Sequence, residues 1–159
     1  MKIRTSYFYQ IRNFLPHMIP VSTALSDPEW FHQWQGPAHT FHDKRGILNG
    51  VRYEYIMAQK NCPHKCPCEL RQPHNCTFLK NYRAELEKLD FERIMRNFNY
   101  FCNKYAQEHQ LEEEPILVLI VHEALNNPCS ERAALIDYFN AHGVECKELD
   151  YPIGENENE

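Results

Sequence analysis

The chain has 159 residues, 43% of them hydrophobic and 13% aromatic, a composition that suits one globular domain with its own core and excludes a disordered chain. Its longest apolar run, Ile116 to Val121, is six residues against the roughly 20 a membrane span needs, so no membrane partner is expected. The start, Met1-Lys2-Ile3-Arg4, lacks the apolar stretch of a secretory signal, which predicts a cytoplasmic protein. The net charge of −5 is uneven: residues 1–100 carry +5 and residues 101–159 carry −10. Two readings follow, an acidic C-terminal part that keeps the chain soluble, or a basic face on the first part that attracts phosphate.

In chain order, Ile3 to Tyr9 is rich in β-formers and predicts a strand. Gln10 to His17 reads as a loop or short turn, and Met18 to Ala24 as a second strand, with Pro20 near its start where a missing N–H is tolerable. Asp27-Pro28-Glu29 opens a short helix carrying Trp30, Phe31 and Trp34, which Gly36-Pro37 would stop. His32, His39 and His42 share this region, but their spacing fits no standard ligand set.

Asn61 to Cys76 holds four of the seven cysteines and three prolines and has no periodicity. After it, Thr77 to Leu89 predicts a helix with Phe78, Leu79, Tyr82, Leu86 and Leu89 along one side. Asp90 is placed to cap the next helix, whose Phe91, Ile94, Met95, Phe98, Phe101, Cys102 and Tyr105 form a wide apolar stripe. That helix should end before Glu112-Glu113-Glu114-Pro115. Ile116 to Val121 is the clearest strand, apolar on both faces as in the middle of a covered parallel sheet. Asn126-Asn127-Pro128 makes a turn, Ser130 caps a helix running to Ala141 or His142, Gly143 ends it, and Val144 to Leu149 returns as a strand. This is a βαβ unit. The reading is therefore one α/β domain, residues 1–151, with a mostly parallel sheet flanked by helices, a cysteine-rich insert over residues 61–76, and a disordered acidic tail over residues 152–159.

Two places carry chemistry. In the insert, Cys62, Cys66, Cys68 and Cys76 lie within 15 residues and can close a tetrahedral site about one ion, most simply zinc. Pro63, Pro67 and Pro73 stiffen the loop, and Lys60, Lys65, Arg71 and Lys80 favour thiolates. A loop with no apolar core takes its folding energy from the metal. His64 or His74 in place of one cysteine, an iron–sulfur cluster, and metal-free thiols are the alternatives. Four cysteines leave no open position, so the ion would be structural.

The second place lies beyond Ile116 to Val121, since ligands of a parallel sheet bind past the carboxyl ends of its strands. The strand delivers His122 and Glu123 there, and the next helix opens at Cys129-Ser130-Glu131-Arg132. The helix dipole would favour an anion and a Cys129 thiolate, and Arg132 would add a forked contact. The plain alternatives are a buried filler for Cys129, a simple cap for Ser130, an ion pair for Glu123, and a satisfied polar residue for His122.

Through these residues the chain resembles the uncharacterised α/β family catalogued as domain of unknown function 488, DUF488. Members open with a strand like Lys-Ile-Tyr-Thr-Ser-Tyr-Phe, and here Lys2-Ile3-Arg4-Thr5-Ser6-Tyr7-Phe8 stands. Ile19-Pro20-Val21-Ser22 and Pro28-Glu29-Trp30 are similar to the family's second strand and Pro-x-Trp segment. Glu123 and Cys129 keep the family spacing after the apolar strand. The insert lies outside the resemblance, and Cys129-Ser130-Glu131-Arg132 lacks the family's Cys-His-Arg histidine and shifts the arginine by one place. His122, His39 and His42 are the replacements by residue type. The resemblance implies a Rossmann-like fold and carries no settled activity.

Three functions compete. The first is an enzyme acting on a nucleotide or nucleic acid, with Ser6, Tyr7 and Ser130 beside the substrate, Arg132 on phosphate, Glu123 as acid or base and Cys129 as nucleophile. The second is a non-catalytic module whose insert and cations, Arg83 among them, grip a nucleic acid or a protein. The third is an iron–sulfur redox protein.

Overall fold

The computed structural model describes residues 1–24, 28, 31, 76–126 and 129–150. The predicted insert up to residue 75, the three clustered histidines and the acidic tail lie outside the described residues, as does most of the helix expected after Asp27. Of that helix, Phe31 is buried and its N–H donates to Pro28 O at 3.0 Å.

Four strands, β1 (Lys2–Tyr7), β2 (Met18–Ser22), β3 (Ile116–Val121) and β4 (Cys146–Glu148), form an all-parallel sheet in the order β2-β3-β1-β4. Three helices are described: α1 (Thr77–Glu87), α2 (Phe91–Glu108) and α3 (Arg132–Ala141). The fold is α/β, as the patterning requires. β3 is central because it is apolar on both faces, with Leu117 to Val121 all buried. Its register sets Ile3 beside Leu117 and Tyr7 beside Val121 on one side, and Met18 beside Ile116 on the other.

Local chemistry explains where the elements stop. The expected loop after β1 is a 3₁₀ turn, Phe8–Asn13, because Phe8 and Ile11 both bury against the sheet. β2 is shorter than expected: past Ser22 the chain turns, and Ala24 N donates to Ser22 Oγ at 3.1 Å. Asp90 caps α2 as expected, accepting from Arg93 N at 3.1 Å. The apolar stripe of α2 is buried at Ile94, Phe98, Phe101, Cys102 and Tyr105. Gly143 stops α3 with φ at 82°, and Val144 N reaches back to Phe139 O at 3.0 Å, a Schellman closure. That closure keeps Val144 out of the last strand, which begins at Cys146. Asn140 is bonded twice to Cys146: its Nδ2 donates to the carbonyl at 3.0 Å and its Oδ1 accepts from the N–H at 2.8 Å.

Topology departs from the simple βαβ reading in one respect. β4 pairs with β1, not with β3. The chain leaving β3 crosses β1 through α3, which packs on β1 and β4, while the chain leaving β1 crosses β3 to reach β2. The two connections leave the neighbouring ends Tyr7 and Val121 in opposite directions along the sheet, which makes that point of its carboxyl edge a topological switch point. Among the described residues, no helix is long and apolar enough to cross a membrane.

Candidate active site at the carboxyl edge of the sheet

Side chains alternate along a strand, so Thr5 and Tyr7 share one face of β1 and Ser6 the other. Thr5 and Tyr7 meet the start of α3. Thr5 Oγ1 donates to Glu148 Oε1 at 2.7 Å, and the Arg132 guanidinium lies 5.5 Å from the centre of the Tyr7 ring. Gln10 Nε2 donates to Tyr7 Oη at 2.9 Å, which fixes the phenol from the other side. Ser6 is fully buried within the strand and faces away from this cluster.

The N-cap position of α3 is Glu131 and not the expected Ser130; Ser130 Oγ instead accepts from Arg132 N at 3.1 Å in the turn that enters the helix. Cys129, Ser130, Glu131 and Arg132 are all buried. The buried guanidinium of Arg132 is spread over three acceptors. Nε donates to Glu148 Oε1 at 2.8 Å, Nη2 to Glu123 O at 2.7 Å, and Nη1 to Ala124 O at 3.5 Å. Its charge is met by Glu148, whose own burial raises its pKa while the bonds from Thr5 and Arg132 oppose the rise.

The centre of the site is a pair of carboxyls. Glu131 is 6% exposed and lies beside the Glu123 carboxyl, whose Oε1 is buried with no hydrogen-bond partner among the described residues. Burial first, then the negative charge of Glu123, pushes Glu131 up to about 8. Its own backbone N–H and the Arg132 charge act in the opposite direction. A carboxyl raised to about 8 keeps its proton at neutral pH, so Glu131 presents an O–H donor as well as an acceptor at this edge of the sheet. Tyr82 of α1 lies close enough for Glu131 to raise its pKa further, beyond the larger effect of its complete burial.

The structure thus gathers Tyr7, Glu123, Ser130 and Arg132 of the expected set and leaves Ser6 on the far face. Cys129 is buried at the approach to α3, and His122 is exposed with its ring 4.8 Å from Phe8. Of the expected metal ligands, Cys62, Cys66 and Cys68 lie outside the described residues, and Cys76 stands half-buried immediately before α1. Among the described residues no group of three or more His, Cys, Asp or Glu side chains is placed to hold a metal. Glu131, Glu148 and Thr5 are the residues that sequence reasoning passed over. The available signal was positional: Glu148 ends a strand, and Glu131 stands one residue before a helix, both at the sheet's carboxyl edge.

The chain matches no family model, no curated protein and no solved structure.

Proposed function

We propose that the protein is an enzyme that moves protons with the Glu123–Glu131 pair, acting on a nucleotide or nucleic acid bound over the neighbouring carboxyl ends of β1 and β3. The observation that carries this is a buried carboxyl, Glu131, raised to about 8 by its burial and by the Glu123 carboxyl beside it, at that place in the fold. A protonated carboxyl beside a second one offers an acid and a base at once near neutral pH.

The same geometry points to the base or sugar end of such a substrate in preference to its phosphate. Arg132 is already paired with Glu148, and Ser130 and Glu131 already serve the first N–H groups of the helix. The reading also keeps the chain as a Rossmann-like, DUF488-like cytoplasmic protein with a zinc ion held by Cys62, Cys66, Cys68 and Cys76. Cys76 leads directly into α1, and Tyr82 on that helix borders Glu131, so the insert and the site share one helix.

The test is a screen of nucleosides, nucleotides and short RNA for conversion between pH 5 and 9, read by mass. The expected result is turnover with a bell-shaped pH profile, lowered about 10²–10⁴-fold by Glu123→Gln or Glu131→Gln in folded protein. Turnover that both variants retain, or a Glu131 carboxyl that titrates in the ordinary range, overturns the reading.

A further inference from the structure

We infer that Arg132 is the positioning residue of the carboxyl pair, a clasp that pins the turn carrying Glu123 to strand β4 through Glu148 and Thr5. The inference rests on the proposed role of the pair and adds what holds it in register. Glu123 and Glu131 are eight positions apart and belong to different segments, one leaving β3 and one approaching α3. Glu123 follows the end of β3 and Glu131 precedes the first residue of α3, so neither lies within a strand or helix. Arg132 joins them from both sides. It is the covalent neighbour of Glu131, and its Nη2 and Nη1 hold the carbonyls of Glu123 and Ala124 at 2.7 and 3.5 Å.

The clasp is itself anchored. Nε bonds Glu148 Oε1 at 2.8 Å, and the same oxygen accepts from Thr5 Oγ1 at 2.7 Å, so two strands of the sheet locate the guanidinium. Tyr7 covers it at 5.5 Å. A guanidinium spreads its donors in a rigid plane, which is what three acceptors in different directions require, and a lysine ammonium cannot span them. The donors that the sequence offered to a ligand anion are in use inside the protein.

The experiment follows two signals in the intact chain: hydrogen exchange of the Ala124 and Leu125 amides, and titration of ¹³C-labelled Glu carboxyls by NMR. The groups bearing on Glu131 are Glu123, Arg132 and Tyr82, and Glu148 acts through Arg132. Arg132→Lys keeps the charge and removes the fork. It is expected to speed exchange in the turn roughly tenfold and to lower the Glu131 midpoint by about one pH unit or more, with helix content unchanged. Glu148→Gln, which keeps an acceptor oxygen for both Thr5 and Arg132, is expected to leave turn exchange near wild type. Wild-type exchange and titration in Arg132→Lys overturn the clasp. Should that variant fail to fold, Thr5→Val releases the anchor from the other end, and unaltered turn exchange there overturns it equally. An ordinary Glu131 titration in the wild type sinks the proposed role of the pair instead, and the exchange arm then decides the clasp by itself.

Discussion

Glu131 is a carboxyl whose folded pKa is raised, the reverse of a salt-bridged one, and the sign of its effect on stability reverses with it. Between the ordinary value of 4.5 and about 8 the folded chain holds a proton that the unfolded chain has released. Stability from this group is therefore full below about pH 4.5 and is lost as pH rises toward 8. Glu131→Gln mimics the protonated form and should flatten that decline. Denaturant titrations at successive pH values should show the wild type losing up to about 1.4 kcal/mol per pH unit relative to the variant, the most that one proton can contribute. Parallel curves would show that Glu131 holds no such proton. Buried thiols make a second residue-scale prediction. Cys102 and Cys146 are both pushed up to about 12 by burial, so native protein at pH 8 should leave both unmodified by iodoacetamide, read by peptide mass. Ser130 was legible as a helix-entry residue, because a short hydroxyl there bonds the N–H of Arg132, although the cap position itself falls one residue later. Glu131 was not, because a glutamate in that place usually faces water, and only the packing around α3 buries it.

At the scale of elements, amphipathic spacing placed α2, and the stop at Gly143 placed the end of α3; the two helices meet through their aromatic side chains. Phe91 meets Tyr138, Phe139 and His142 at 5.9, 6.1 and 4.4 Å between ring centres, and Phe98 stacks on Phe139 at 6.3 Å. Phe139 is fully buried, so Phe139→Ala should cost about 3–5 kcal/mol in a urea titration. Asp90→Ala removes a single cap bond at the start of α2 and should cost about 1 kcal/mol, through helix fraying and without a change of core. A cost for Asp90→Ala as large as that for Phe139→Ala would mean that the cap holds tertiary structure as well. Element ends were less legible than element cores. The stop at Gly143 was legible because its closure is local, but the buried Phe8 and Ile11 that tighten the segment after β1 depend on tertiary partners that periodicity does not encode.

For the whole molecule, the parallel sheet was legible in the run Ile116 to Val121, but the order of its strands was not. A helix followed by a strand does not say whether the strand returns beside its predecessor or one place beyond it. Here β1 fills the place next to β3, and β4 goes outside it. That displacement brings Glu148 under Arg132, so the site depends on the strand order as much as on its residues. The expected zinc belongs to this scale too: purified, reduced protein should contain about one zinc per chain by elemental analysis, the count a single four-thiolate site requires. A coloured, iron-containing preparation would favour the cluster, and metal-free protein would remove the ion altogether.

Because β4 is the outermost strand on its side among the described residues, its backbone is where a stray β-segment from another molecule could dock. The Asn140 amide already occupies that margin, offering Cys146 the same donor and acceptor that a neighbouring strand would offer. The protein carries its own chain terminator for the sheet. A one-atom-type change such as Asn140→Leu, neutral and similar in bulk, should leave the margin open, and light scattering at rising concentration should then detect self-association.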